Sequence, residues 1–301
     1  MTFSIVARSA DGQSWGVAVA SKFLAVGAVV PAASSDAGAL AAQAMPDLSH
    51  RPKGLELLRQ GHRAQQALEA LLADDEGRAH RQTGVVDRDG GSASYTGAEC
   101  IDWAGDRQGA GYAVQGNCLA GADVVAAMEL TWQQSEAEPL PRRLLAALRS
   151  GDAAGGDKRG RQSAALLVVT PAGGYGGTSD VQVDLRVDDH PEPVTELARL
   201  LDLHELYFGH PDPDTLRPLS GDLATDVRDL LAQTGHTGDD LDDTLLTWMG
   251  VENYEERHVP GSIDPLVLDK LRESAGREAG QPAGREAEQP AGREADAGTD
   301  R

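Results

Sequence analysis

The sequence predicts an α+β protein in which antiparallel sheets carry paired helices on their faces. Three observations lead to this class. Short β-like runs follow one another as hairpins, turn sequences stand between them, and helical patterns fall in pairs between the groups of strands. This order of strands, two helices, strands, two helices, strands and a last helix indicates a layered sandwich.

The strands are predicted where apolar residues alternate or run together between turn residues. Asp11-Gly12 joins the first two strands, Asp89-Gly90-Gly91 joins a later pair, and Pro171-Ala172-Gly173-Gly174 joins the last pair. The predicted strands are residues 2–7, 15–20, 38–44, 82–87, 92–96, 111–117, 164–170 and 181–187.

Helices are predicted where apolar residues recur every three or four positions. In a first region, residues 1–209, they cover residues 52–60, 64–73, 122–134, 139–150 and 193–207. A second region contains three shorter helices, at 223–233, 241–249 and 264–273. The predicted core of this second region consists of Leu230, Leu231, Leu245, Leu246, Trp248 and Leu266.

The composition changes twice along the chain. Residues 1–209 carry 27 acidic and 18 basic residues, whereas residues 210–274 carry 15 acidic and five basic ones. A Pro-rich segment at 210–218 is typical of a linker. From residue 275 the chain repeats AGREAGQP, AGREAEQP and AGREADAG, which have no apolar face. We therefore predict a domain at 1–209, a linker, an acidic helical module at 219–274 and a disordered tail at 275–301.

Charge and cysteine content argue against several functions. The 301 residues include 48 acidic and 27 basic ones, a net charge of −21. This charge is repelled by nucleic-acid phosphates and anionic membranes, so we expect neither as a partner. The two cysteines, Cys100 and Cys118, are too few for a disulfide framework or a Cys-based zinc site. We expect no metal and no cofactor.

The N-terminal segment and the apolar runs of the chain indicate the cellular location of the protein. No apolar run reaches the roughly 18 residues that a membrane-spanning helix needs. The N-terminus also lacks the basic-then-apolar order of a signal peptide, and it is predicted as a strand instead. We expect a cytoplasmic protein.

Thr2 is the first candidate for catalysis. Initiator methionine is removed when residue 2 is small, and the mature chain would then begin with Thr2. Its α-amino group, with a pKa of about 8, can act as the general base for its own hydroxyl. The alternative is a small second residue without catalytic meaning. Alternation along the strand places Thr2 and Ser4 on one face, and Phe3 and Ile5 on the other.

Seven segments of the first region read, in order, MTFSIVAR, GVAVASKFLAVGAVVP, SYTGAECIDWAG, GYAVQGN, GDAAGGDKRGRQSAALLVV, GGYGG and VDLRVDDHPEPV. Together they resemble the domain-of-unknown-function 1028 family, which is grouped with proteins similar to the N-terminal nucleophile (Ntn) hydrolases. The resemblance implies an αββα four-layer sandwich, and it brings no substrate with it. The acidic module resembles a domain assigned to peptidoglycan binding in some relatives.

The resemblance implies that Thr2 is the nucleophile, and two further residues fit such a site. Lys22 interrupts an apolar stretch and is the best match to a lysine that tunes a threonine nucleophile. We expect it to be partly desolvated, the alternative being a lysine that reaches solvent. Asn117 ends a strand after Gly116, where its amide N–H suits an oxyanion hole. The alternative is a turn asparagine that caps the strand.

Residues 155–163 form the sharpest local motif, with three glycines, three cations and an acid before a strand. Polar loops on a rigid strand often hold binding groups. Asp157 and Arg159 can orient an amino terminus or bind a substrate carboxylate, Arg159 in bidentate fashion. Gln162 and Ser163 complete the predicted substrate-binding set. The alternative is a solvated turn.

Other polar clusters have structural explanations. Asp184, Arg186 and Asp188 share one strand face, which favours an ion-pair ladder over a metal site. The acidic run at 239–243 is typical of a helix N-terminus.

Two functions follow. The first is an Ntn-type amidohydrolase that cleaves an amide bond in a small molecule or short peptide, and the second is a non-catalytic ligand-binding protein on the same scaffold. Residues 210–274 carry a net charge of −10, and the aromatic residues of the module at 219–274 are Trp248 and Tyr254. We expect this module not to bind cell wall, and to pack beside the main domain or against a second subunit in a homodimer.

Overall fold

The computed structural model describes residues 2–279 of the chain. The chain divides into two compact units, the first ending at Glu205 and the second beginning at Leu206. Within residues 2–279, every helix is too short or too polar to span a bilayer.

The first unit is built on two antiparallel sheets. Its strands are β1 (Thr2–Arg8), β2 (Trp15–Ser21), β3 (Pro31–Ser34), β4 (Gly38–Ala44), β5 (Arg81–Asp87), β6 (Ser92–Thr96), β7 (Gly105–Gly109), β8 (Tyr112–Asn117), β9 (Ser163–Val169) and β10 (Val181–Val187). The larger sheet has the order β10-β9-β2-β1-β8-β7, and the smaller has the order β3-β4-β5-β6. Strand β1 is therefore interior to the larger sheet.

The short helix α1 (Val26–Val29) contributes Val26 to the core between the sheets. The outer faces of both sheets are covered by α2 (His50–Arg59), α3 (Ala64–Ala73), α4 (Asp123–Gln134), α5 (Leu140–Ala153) and α6 (Pro193–Phe208). Buried side chains of α4, α5 and α6 share a core with the larger sheet, and those of α2 and α3 share one with the smaller sheet. The layers are helices, six-stranded sheet, four-stranded sheet and helices.

Alternation along β1 separates two cores. Phe3, Ile5 and Ala7 pack with the helices on one side of the larger sheet. Val6, on the opposite face, belongs to the core between the sheets, together with other valines and alanines. Small side chains suit this space because facing sheets lie only about 10 Å apart.

The predicted α+β class and layered sandwich are confirmed. Every predicted strand is present, and no strand end differs by more than one residue. The sequence patterns do not predict β3, β7 or α1. Strand β3 begins with Pro31 and has no alternation. Strand β7 is a polar edge strand, Gly-Asp-Arg-Gln-Gly, without a buried apolar face to show in the sequence.

The second unit contains three helices, α7 (Gly221–Gln233), α8 (Leu241–Glu252) and α9 (Pro265–Ala279), and a short pair of strands, β11 (Arg217–Pro218) and β12 (Ser262–Ile263). Leu231, Leu245 and Trp248 are buried as predicted. Leu246 and Leu266 are 39% and 52% exposed, so their assignment to the core was wrong. Leu246 follows Leu245 by about 100° around α8 and so leaves the buried face.

Two boundaries differ from the prediction. Arg217 and Pro218, placed in the linker, form β11 and pair with β12 of the second unit. Helix α9 continues to Ala279, five residues into the segment predicted to be disordered, and Ala275 is 1% exposed. Ala275 lies on the same face of the helix as the buried Leu268 and Leu271, so the buried stripe of α9 extends into this segment. Residues 280–301 of the predicted tail lie outside the described residues.

Candidate functional site

Thr2 begins β1 and lies between two neighbouring strands. On one side it pairs in register with Asn117 of β8. On the other side its hydroxyl Oγ1 lies 3.1 Å from Ser21 Oγ, at the end of β2. All three residues are buried. The structure thus brings Thr2 and Asn117, two of the predicted catalytic residues, together at the end of the sheet where β1 begins.

A buried polar network lies on the Thr2 side of β1, facing the smaller sheet. Ser4 donates a hydrogen bond from Oγ to Gln43 Oε1 at 2.7 Å and accepts one from Gln115 Nε2 at 2.6 Å. Gln43 Nε2 in turn lies 3.3 Å from the carbonyl oxygen of Thr2. The network connects the backbone of the candidate nucleophile to both sheets.

Gln82 of β5 occupies the centre of this network and is fully buried. Its Oε1 accepts hydrogen bonds from Asn117 Nδ2 and Gln43 Nε2, both at 2.8 Å. Its Nε2 donates to the Gly116 carbonyl at 2.8 Å and to Thr96 Oγ1 at 2.9 Å. An amide group carries two N–H bonds, so one N–H of Asn117 is used by Gln82 and a second can serve another acceptor.

The three glutamines of this network are not among the site residues predicted from the sequence. Each of them, Gln43, Gln82 and Gln115, is a single amide residue in a buried strand. An isolated polar residue in an otherwise apolar strand was the signal that could have identified them. Their convergence depends on two sheets meeting face to face. Gly84 provides the room, because a Cβ there would come within 2.1 Å of Gln115 Oε1.

The loop after α5 is fastened to the same end of the sheet by Asp157. The Asp157 carboxylate accepts hydrogen bonds from the backbone N–H of Lys22 at 2.9 Å and of Arg159 at 3.0 Å. The Arg159 guanidinium binds both carboxylate oxygens, at 3.1 and 2.8 Å. The Asp157 side chain is 1% exposed and that of Arg159 is 34% exposed, so the carboxylate is buried while the guanidinium reaches the surface.

A cavity of about 470 Å³ lies beside this loop, within the size range of small-ligand sites. Thr2 does not line it, but its chain neighbour Phe3 and its hydrogen-bond partner Ser21 do. The remaining lining residues are Ala20, Ala120, Asp152, Ala153, Gly155, Asp157, Lys158, Gly160, Arg161 and Pro193.

Three predicted site residues are placed differently from Thr2 and Asn117. Lys22 is exposed, and its Nζ donates to the Arg161 carbonyl at 3.3 Å, so the expected desolvation was wrong. The reason is that Lys22 follows the last residue of β2 and leaves the apolar core with the chain. Ser163 is fully buried, donates to the Phe23 carbonyl and accepts from the Val26 N–H, which is a structural role.

Gln162 lies outside the cavity as well. Its Nε2 donates to Asp189 Oδ1 at 3.2 Å, and its backbone N–H donates to the Ser21 carbonyl at 3.2 Å. Of the four residues predicted to bind substrate, Asp157 alone lines the cavity, and Arg159 is held against it.

The remaining predicted clusters have structural contacts. Arg186 binds the Asp184 carboxylate at 2.9 Å, as an ion-pair ladder requires. Asp240 accepts a hydrogen bond from the Asp243 N–H at the start of α8.

Burial raises the pKa of the Cys100 thiol, which disfavours the nucleophilic thiolate. Among residues 2–279, no group of three or more His, Cys, Asp or Glu side chains is arranged to hold a metal ion.

A second cavity, of about 650 Å³, lies by helices α2 and α3. His50 lines it and is 4% exposed, with Nε2 3.6 Å from Asp75 Oδ2. Burial lowers the pKa of His50 and outweighs the opposing effect of Asp47 and Asp75. Asp75 is itself bound by Arg81, Nε to Oδ2 at 2.8 Å. The neutral imidazole is therefore favoured.

These features define a four-layer α+β sandwich with a threonine at the start of an interior strand. The model of a family of unknown function, DUF1028, matches residues 2–197, and the chain belongs to this family. A second family model, described as “Putative peptidoglycan binding domain”, matches residues 207–271.

A crystal structure from the same family is similar to this chain. It is that of protein SPO2555 from Silicibacter pomeroyi, which is 32% identical, with a TM-score of 0.61. The match covers 74% of this chain and 92% of that one. No curated protein matches the chain.

Proposed function

We propose that the protein is an amidohydrolase of the Ntn type, with Thr2 as its nucleophile and a small molecule or short peptide as its substrate. The observation that carries this proposal is the position of Thr2. It begins an interior strand, its hydroxyl is hydrogen-bonded to Ser21, and its register partner is Asn117. Removal of Met1, which lies outside the described residues, frees the α-amine.

The reaction then runs in two halves. Thr2 Oγ1 attacks the amide carbonyl carbon while the α-amine accepts the hydroxyl proton. The oxyanion accepts a hydrogen bond from the N–H of Asn117 that Gln82 does not use. The C–N bond breaks, the leaving amine takes the proton from the α-ammonium, and Thr2 remains as an ester. Water, deprotonated by the α-amine, hydrolyses this ester and restores Thr2.

The loop residues support the nucleophile in this proposal. Asp157 and Arg159 form a fixed ion pair that holds the loop at the end of β2 through the Lys22 N–H. Lys22 adds a positive charge near this end of the sheet, which favours the neutral form of a neighbouring amine. A neutral amine is the form that acts as a base.

The test uses a β-lactone, which acylates an N-terminal threonine nucleophile without knowledge of the substrate. Untagged full-length protein is expected to lack Met1 by intact mass and to gain one acyl group. Thr2→Ser should also be acylated, whereas Thr2→Ala should react about a thousandfold more slowly or not at all. Retained Met1, or equal labelling of Thr2→Ala, would contradict the proposal.

Retained Met1 would favour the second function, a ligand-binding protein without turnover. The observation on its side is that the Thr2 hydroxyl is buried and already hydrogen-bonded to Ser21. A hydroxyl in that position also serves a purely structural purpose at the end of a strand.

A further inference from the structure

Cations are concentrated around the 470 Å³ cavity in a chain whose net charge is −21. Lys158 and Arg161 line the cavity. Lys22 and Arg159 lie beside it, since each is hydrogen-bonded to a residue of the lining. The chain has four lysines in all, and two of them are here.

Both arginines are committed to carboxylates of the protein. Arg159 binds Asp157 with Nε and Nη2. These are the guanidinium N–H groups that were expected to bind a substrate carboxylate, and they are already occupied. Arg161 Nε binds both oxygens of Asp152 at 2.8 and 3.0 Å, and its Nη1 binds Glu192 at 3.1 Å. These pairs neutralise the acidic groups of the lining.

The two lysines differ from the arginines. Lys158 Nζ donates to the carbonyl oxygen of Asp102, and Lys22 Nζ donates to that of Arg161. Across residues 2–279, no carboxylate oxygen lies within 4 Å of either ammonium, whereas Lys270 is paired with Glu273 at 2.9 Å. An ammonium has three N–H bonds, so each of these lysines keeps donors for an external anion.

We propose that the cavity binds a substrate that carries a carboxylate, which Lys158 and Lys22 hold by charge-assisted hydrogen bonds. This inference rests on the proposed amidohydrolase function and names its substrate class. The carboxylate is a recognition group and takes no part in bond cleavage. The lining also has apolar residues, among them Ala20 and Ala153, and it includes Ser21, whose Oγ lies 3.1 Å from Thr2 Oγ1 and so connects the cavity to the candidate nucleophile.

The experiment compares two probes that differ only in charge. They are N-succinyl-p-nitroaniline, which has a free carboxylate, and its uncharged carboxamide twin. Binding is measured by calorimetry on full-length Thr2→Ala protein, which separates recognition from turnover. The carboxylate probe is expected to bind about tenfold more tightly than its twin or better, since a hydrogen bond to a charged group contributes about 1.5 kcal/mol or more.

Lysine variants in the Thr2→Ala background locate the site. Lys158→Gln and Lys22→Gln should each weaken the carboxylate probe about tenfold and leave its twin unchanged. Lys53→Gln is the matched control, because Lys53 lines the other cavity, and it should have no effect.

Equal affinity for the two probes, no binding of either, or full affinity in Lys158→Gln would overturn the inference. The proposed function fails in a different way. If the carboxylate probe binds in a Lys158-dependent manner but the wild-type protein releases no nitroaniline and takes no β-lactone, the carboxylate site stands and the hydrolase does not.

Discussion

At the scale of single residues, the site depends on amide side chains inside the protein. Gln43, Gln82 and Gln115 lie between the sheets, where a polar group without a partner is costly. Gln82 uses both its oxygen and its nitrogen, and it connects β5 of the smaller sheet to Asn117 of the larger one. It thereby orients the amide that the proposed reaction uses for the oxyanion.

Gln82→Leu should lower the free energy of unfolding by about 3 kcal/mol, because it leaves the buried Asn117 Nδ2 without its acceptor and removes the shortest hydrogen bond of Gln43 Nε2. Urea unfolding of the full-length protein measures the change. Gln65→Leu is the control, because the Gln65 side chain is exposed on α3 and donates to the exposed Glu69, so its effect should stay within about 0.5 kcal/mol. Equal effects of the two substitutions would show that the Gln82 hydrogen bonds contribute no stability.

At the scale of elements, α2 begins at a buried histidine. His50 lies between Asp47 of the preceding turn and Asp75 of the α3–β5 connection, and Arg81 of β5 binds Asp75. Burial lowers the pKa of His50 in the folded chain, with smaller contributions in the same direction from Arg81 and Lys53. Below about pH 6.5 the His50 imidazole is protonated in the unfolded chain, whereas in the folded chain its protonation requires a lower pH.

The free energy of unfolding should therefore fall as the pH decreases from about 7.5 to about 5.5. His50→Asn should make this fall smaller, although His204, whose pKa burial also lowers, keeps part of it. His80→Asn, at an exposed position, should follow the wild type. Urea unfolding at the two pH values measures the difference. An undiminished fall in His50→Asn would contradict the assignment.

At the scale of the whole molecule, the charge of the second unit and the exposure of its aromatic side chains decide whether it can bind peptidoglycan. The model of a family named for peptidoglycan binding matches residues 207–271, yet residues 210–274 carry 15 acidic and five basic residues. Trp248 and Tyr254 are 1% and 5% exposed, and Tyr207 stacks on Tyr254 at 5.6 Å. Among the described aromatic residues of this unit, Phe208 alone is largely exposed, at 51%. Sugar-stacking surfaces need more exposed rings than that.

We therefore predict that the full-length protein is not retained by purified peptidoglycan at low salt, where repulsion from anionic wall polymers is strongest. A pull-down with a known wall-binding protein as the positive control measures this. Retention that disappears when residues 210–301 are deleted would overturn the prediction. The cytoplasmic location and the homodimer also stay predictions.

Much of the fold could be predicted because its signals are local. Strands such as Gly38–Ala44 and Val181–Val187, and helix α3, have the predicted bounds, since apolar periodicity and turn residues lie within each element. Edge strand β7 was missed because a strand with exposed sides needs no apolar alternation. Its pairing with β8 is visible only in the sheet.

The sequence by itself determined the α+β class, the order of the elements other than β3, β7, α1, β11 and β12, and the face of β1 that carries Thr2, because side-chain periodicity follows from backbone geometry. The tertiary structure decided which groups meet. The register between β1 and β8 places Asn117 opposite Thr2, and the contact between two sheets brings Gln82 to Asn117. The tertiary structure also pairs Arg159 with Asp157, whereas Lys22 and Lys158 donate hydrogen bonds to backbone carbonyl oxygens. These outcomes depend on contacts between residues distant in the chain, and no local pattern encodes such distances.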